Sequence, residues 1–368
     1  MAATRKRTCQ IVRRTVPAIA AVAAAAALVG CGSKTSASST QRAPSSTQGQ
    51  PATSATASPK VAVLSPFPRN DFSITQASIE GAQDALKTLA GSTLKIIDNV
   101  SPAQQISALR DAAQASNIIV LTSGSLVTAA DTVAPQYPHV WFILYDATTS
   151  HYHANVTSID PEVGESAIVT GAVAANHSTT KKLGEVTGLQ LTGELQEIAG
   201  LTQGAKLIAP SATVAATFTG DYNDIGKAEQ ATKAQMANGV DGILGDLGLG
   251  FTGFYRAVQG TSVAVYNYQT FTSLGCDSSP KLIGGVLANF RVLTRSSVEA
   301  AAAGKLTAGA IFVTLKHPQV LRFSFCPGRG TASDRKVAET TTAGLLSGRI
   351  KPNANALTPT PGYAVEYQ

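Results

Sequence analysis

From residue 59 onward the chain alternates short β-branched runs with helix-length amphipathic segments, and that alternation excludes most folds. Lys60-Val61-Ala62-Val63-Leu64 reads as a strand ending at Ser65-Pro66. A helix follows over roughly 73–90, with Ile79, Ala82, Ala85 and Leu86 on one face. The pattern predicts further strands at 94–98, 117–121, 140–145, 183–186, 214–218, 242–244 and 263–266. It predicts helices at 102–115, 125–134, 192–203, 224–238 and 251–259, the first opened by Ser101-Pro102 as cap and first-turn residue. Such order implies α/β architecture, with parallel sheets covered by helices on both faces.

In such sheets ligands sit at the carboxyl ends of the strands, which selects the candidate residues. Asn70-Asp71 follows the first strand, Thr122-Ser123-Gly124 the third, and Asp146 the fourth. Gly220-Asp221-Tyr222-Asn223-Asp224 and Asp246-Leu247-Gly248-Leu249-Gly250 follow two later ones, and Tyr266-Asn267-Tyr268-Gln269 closes another. These small, polar and aromatic residues suit a neutral polar ligand with flat faces. Asp71 reads equally as a cap for the next helix. Tyr266 and Tyr268 share one strand face, either in the core or in a cleft.

The first sixty residues bear on location rather than fold. Apolar residues make up 44% of the chain and charged ones only 14%, enough for a sizeable core. The net charge of +6 suggests a nucleic-acid partner until it is mapped. Arg5, Lys6, Arg7, Arg13 and Arg14 all precede residue 31 with no acid among them; without these five, 24 basic residues face 23 acidic ones. The basic excess is an export signal, and no nucleic-acid partner is expected. An apolar run over 16–29 is shorter than the ~20 residues that span a bilayer. It ends Leu28-Val29-Gly30-Cys31, which resembles a bacterial lipobox; the alternative is an ordinary signal peptide with an incidental cysteine. A lipid on Cys31 would hold the protein on the outer face of a membrane. Arg13-Arg14 also fits a twin-arginine signal loosely. The Ser, Thr, Ala, Gln and Pro of the next segment read as a flexible tether over 31–58. Cys9 leaves with the signal, so Cys276 and Cys326 remain, to form a disulfide or stay as two buried thiols.

Catalytic and metal motifs are missing from the sequence. His151-Tyr152-His153 has no accompanying His or Cys cluster. There is no Gly-x-Ser-x-Gly elbow and no P-loop, and Gly248-x-Gly250 lacks the rest of a dinucleotide fingerprint. No enzyme activity, metal or cofactor is expected.

Four stretches together resemble the basic membrane protein family of lipoproteins, purine-nucleoside receptors of ABC importers. They are 70–76 running into Ile79-Glu80-Gly81; 141–146 with Asn155-Val156, Glu162-x-x-Glu165 and Thr170-Gly171; 217–224 with Lys227-Ala228; and the turn at 246–250. The resemblance covers nearly all of 59–310. It implies a type I periplasmic-binding-protein fold, two Rossmann-like lobes joined by a three-stranded hinge that close on ligand and dock on a permease. It implies a first lobe over 59–159 with a return segment near 286–330, and a second over 160–285 with part of 331–368. The ligand-binding residues expected are Asp71, Thr75, Ser123, Asp146, Tyr222, Asp246, Gly248, Tyr266 and Tyr268; of these the resemblance implies Asp71 and Asp146 as hydrogen-bond partners, Tyr222 as an aromatic that stacks on a base, and Gly248, with Gly250, as admitting backbone to the ligand. Ile74-Thr75 stands where the family has Phe-Asn, and Tyr266-Asn267-Tyr268-Gln269 where it has its ribose-binding acids. Ala288 or Asn289 replaces a family lysine. The expected ligand is therefore a nucleoside, a nucleobase or a related heterocycle. The expected partners are that small molecule, ABC permease subunits and the membrane, with the receptor itself a monomer. The alternative is a sensor or surface interaction protein of the same fold without transport.

Overall fold

The run Ile118-Ile119-Val120-Leu121 is apolar at every position and buried at every position, as a parallel strand with helices on both faces must be. It belongs to a computed structural model that describes residues 58–146, 153–270, 275–357 and 365–366. Cys31, the signal, His151 and all but residue 58 of the tether lie outside the described residues.

The first half of the chain winds as β1 (Lys60–Leu64), α1 (Ile74–Leu86), β2 (Thr93–Ile97), α2 (Gln105–Ala115), β3 (Ile118–Leu121), α3 (Val127–Val133), β4 (Trp141–Tyr145) and β5 (Val156–Pro161). The second winds as α4 (Val163–His177), β6 (Lys182–Thr187), α5 (Thr192–Ile208), β7 (Thr213–Phe218), α6 (Ile225–Ala237), β8 (Gly242–Asp246), α7 (Phe251–Ala257), β9 (Ala264–Gln269) and β10 (Leu282–Ala288). The chain ends with α8 (Phe290–Ala302), β11 (Gly309–Val313), β12 (Leu321–Phe325), α9 (Ala332–Leu346) and β13 (Val365–Glu366).

Two sheets result. The seven-stranded one has the order β13-β11-β5-β4-β3-β1-β2, and the six-stranded one β12-β10-β9-β8-β6-β7. Every pairing is parallel except that of β12 with β10. Both sheets reverse their winding at the first strand of the lobe, between β1 and β3 and between β6 and β8. These are the switch points at which α/β sheets open a crevice. The chain passes between sheets after β5, after β10 and between β11 and β12, which makes the three-stranded hinge of a two-lobed type I periplasmic-binding fold. Beyond α9, which packs on α4, β13 adds to the first sheet beside β11.

One hydrophobic cluster runs through both lobes, from Val61 and Ile143 to Leu183, Leu244 and Tyr266. Separate clusters back the other face of each sheet, around Phe142 and Leu109 in one and Phe254 and Val265 in the other. Cys276 and Cys326 are joined as a disulfide that ties the β9–β10 connection to the residue after β12.

Strand β9 and helix α4 depart from the sequence reading, and β5, α8, β11, β12, α9 and β13 have no counterpart in it. Strand β9 runs to Gln269 rather than to 266, which carries Tyr268 on the strand itself. Helix α4 has no counterpart among the predicted helices. It is buried on nearly every side, from Val163 to Ala175, so it lacks the polar stripe that marks a helix in sequence.

Candidate functional site

The two switch points face each other across a cleft of about 590 Å³, counting its mouth. Each wall comes from strand ends and the helix starts behind them. Phe67 and Asp71 follow β1, Thr122 and Ser123 follow β3, and Asp146 follows β4. Opposite them stand Gly193, Glu194 and Glu197 on α5, Tyr222 after β7, Asp246 and Gly248 at β8, and Tyr268 on β9.

The walls touch at three places. The Phe67 ring meets Tyr222 edge-on, with centroids 5.5 Å apart. A Cβ added to Gly248 would stand 2.8 Å from the Asp71 carbonyl oxygen, and one added to Gly193 2.8 Å from Asp146 Oδ1. No side chain fits at either glycine with the lobes this close. Asp146 itself has φ +60°, the left-handed region that aspartate tolerates better than most residues.

Seven of the nine residues selected from the sequence line this cleft: Asp71, Ser123, Asp146, Tyr222, Asp246, Gly248 and Tyr268. Asp71 is only 2% exposed, and its carboxylate is occupied. Oδ1 accepts the backbone N–H of Ser73 at 2.8 Å and of Gln76 at 3.1 Å, while Oδ2 accepts that of Thr75 at 3.3 Å. Asp71 thus caps α1 while facing the cleft. Ser123 likewise accepts the Ser125 N–H at 3.2 Å.

Two of the nine lie elsewhere. Thr75 is fully buried behind Asp71, its hydroxyl 2.7 Å from that of Ser65, because the first turn of α1 points it into the lobe. Tyr266 is fully buried in the central core. It shares a strand face with Tyr268, as the sequence implies, but two residues deeper, below the cleft floor. Gly250 also stays outside the lining; its N–H donates to the Tyr222 carbonyl at 3.0 Å and holds the loop. Asn289, at the lost family lysine, accepts the Val292 N–H at 3.1 Å and caps α8.

The sequence reading missed the acids. Glu194 and Glu197 are 4% and 2% exposed and line the cleft, with Glu185 of β6 fully buried nearby. The Tyr222 hydroxyl donates to Glu194 Oε1. Among the described residues, Glu194 Oε2, Glu197 Oε1 and both Glu185 carboxyl oxygens have no hydrogen-bond partner. Burial pushes the carboxyls of Glu185, Glu197, Asp146 and Asp246 well above their ordinary range, and the negative charge of neighbouring acids adds to it. Burial raises Glu194 too, against the Tyr222 hydrogen bond. The same burial, and then these acids, push the Tyr222 and Tyr268 hydroxyls up. Among the described residues no three His, Cys, Asp or Glu side chains are placed to hold a metal ion. One signal was readable: Glu185 interrupts the apolar run of its strand, where a charge is costly.

Fold and cleft together define a two-lobed solute-binding protein. The chain belongs to the family described as "ABC transporter substrate-binding protein PnrA-like", which matches residues 58–323. It is 26% identical over 188 residues to Basic membrane protein A2 of Borrelia garinii, covering 50% of this chain and 55% of that one. It is 24% identical over 160 residues to "ABC transporter nucleoside-binding protein BmpA" of Lactococcus lactis, covering 44% of this chain and 45% of that one. The chain thus spans about half the length of these curated relatives or less. A solute-binding protein of an ABC transporter system from Aeropyrum pernix superposes with a TM-score of 0.71 at 21% identity, covering 79% of this chain and 92% of that one.

Proposed function

We propose that this chain is the lipid-anchored, extracytoplasmic receptor of an ABC importer, and that it takes a nucleoside, nucleobase or related heterocycle between its lobes. The observation that carries the ligand class is the aromatic pair at the cleft mouth. Phe67 comes from one lobe and Tyr222 from the other, and the two rings touch edge-on, so a flat ring entering between the strand ends displaces Phe67 and stacks on the Tyr222 face. Hydrogen bonds from the ring edge then have Asp146, Asp246 and Glu194 as acceptors. A nucleoside-binding protein among the relatives supports the same class. Closure is the signal that a permease would read, and Cys31 with the tether would keep the receptor within its reach.

A thermal-shift screen over nucleosides, free bases and related ring compounds tests this. A true ligand raises the melting temperature in proportion to the logarithm of its concentration over Kd. The expected result is micromolar or tighter affinity, with Tyr222→Ala weakening it by about 10- to 100-fold, since a stacked base is held by ~1–3 kcal/mol. A screen in which no heterocycle shifts the transition, or a Tyr222→Ala protein that binds as well as the parent, rejects the reading.

A further inference from the structure

The cleft's charge is one-sided. Asp71, Asp146, Glu194, Glu197 and Asp246 line it, with Glu185 just behind, and among the described residues no lysine, arginine or histidine does. Asp71 is neutralised in part by the three backbone N–H groups at the start of α1. Glu194, Glu197 and Asp246 are at most 9% exposed, and Glu194 and Glu197 each keep a carboxylate oxygen that no donor among the described residues reaches. The groups around them on α5, β6, β8 and β9 and on the opposite lobe are further acids, Asp160 among them, and the hydroxyls of Tyr222 and Tyr268. An independent feature on the opposite wall points the same way. Thr122 Oγ1, 1% exposed at the end of β3, also lacks a partner among the described residues.

Buried carboxylates without a counterion are strongly destabilising unless protonated or paired. A site built from them, with no metal geometry, is suited to an organic cation. From this charge pattern and the aromatic walls, we infer that the ligand is a positively charged heterocycle, a ring cation or protonated base, whose charge lies against Glu194 and Glu197. This rests on the heterocycle reading above and replaces the neutral ligand expected from sequence. The ring faces of Phe67 and Tyr222 favour a cation as well. Anions meet repulsion from each of these carboxyls that carries its charge, which disfavours phosphorylated forms of the same base.

Calorimetric titration of the full chain at neutral pH tests the inference with pairs that differ in charge and not in shape. 1-Methyladenosine, a ring cation, is set against neutral 1-methylinosine. 1-Methylnicotinamide is set against 3-methylbenzamide. AMP serves as the anion and agmatine as a cation without a ring. In at least one pair the cation should bind about tenfold or more tightly than its neutral partner, since hydrogen bonds to charged groups are the stronger ones. Glu197→Gln and Glu194→Gln should shrink that ratio, and AMP should not bind. Neutral members that bind as well as the cations, a ratio that survives both substitutions, or AMP binding each overturn the inference while leaving the heterocycle reading intact. Binding of agmatine with none of the ring compounds overturns the heterocycle reading and leaves the cation preference standing. Binding of no probe overturns both.

Discussion

Gly248 is the residue at which the closed cleft can be separated from the folded chain. Its N–H donates to the Tyr222 carbonyl at 3.0 Å, and a Cβ there would meet Asn223 Oδ1 at 2.5 Å and the Asp71 carbonyl at 2.8 Å. The first neighbour is on its own lobe, and its side chain can turn aside at the loss of one hydrogen bond, from the Leu249 N–H at 3.0 Å. The second is backbone of the opposite lobe and can yield only if the lobes part. Gly248→Ala should therefore leave secondary structure and melting temperature of the unliganded protein nearly unchanged. It should weaken ligand binding by about 5- to 150-fold, the equivalent of the ~1–3 kcal/mol that overpacking costs. Circular dichroism and titration together check this; equal affinity in the variant counts against closure at this point. The strand-end rule located Gly248 from sequence because it depends only on where strands stop. It misplaced Tyr266, since alternation gives the face of a strand and not the depth along it.

Helix α5 and strands β6 and β8 carry these acids, so pH acts at the scale of these elements. The ordinary values are 3.8 for aspartate and 4.5 for glutamate. Burial raises Glu185, Glu194, Glu197 and Asp246 above them in the fold. Above about these ordinary values the unfolded chain has released protons that the folded one retains, so stability falls as pH rises toward the raised values. Surface pairs work the other way. Asp84 is held at about 2, chiefly by Arg291 and then by Lys87, and its contribution is lost only as pH falls below 3.8. The unliganded protein should be most stable in mildly acid solution and lose stability toward alkaline pH. Glu185→Gln, which removes a buried acid whose oxygens have no partner, should flatten that loss. Urea denaturation across pH measures both, and stability that climbs steadily from mildly acid to alkaline pH contradicts the account. Of these acids only Asp246, at a strand end, is legible as a site in sequence; Glu185 shows only as a charge interrupting an apolar run. Glu194 and Glu197, spaced i and i+3 on a helix, ordinarily mark a solvent face, and only the packing of α5 against α4 turns them inward. Helix α4 was hidden for the complementary reason, being apolar all round.

At the scale of the whole molecule, two sheets of the same winding place their switch points face to face, and the chain crosses between them after β5, after β10, between β11 and β12, and again on the way to β13. This much follows from alternating strands and helices, because the parallel α/β rule fixes where strand ends point. The pairing of lobes, by contrast, depends on β11 and β12 going to different sheets, which no local pattern of theirs reveals. On the proposed function the lobes close on one flat ring stacked on Tyr222, with Phe67 moved aside, against the acids of the second lobe. A crystal structure of the chain grown with the tightest-binding heterocycle tests it most directly. The account predicts one molecule in the cleft, its ring against Tyr222 and a donor edge within hydrogen-bond distance of Glu194 or Asp246. A ligand seated outside the cleft, or in the cleft with its ring away from Tyr222 and no contact to either acid, would contradict it.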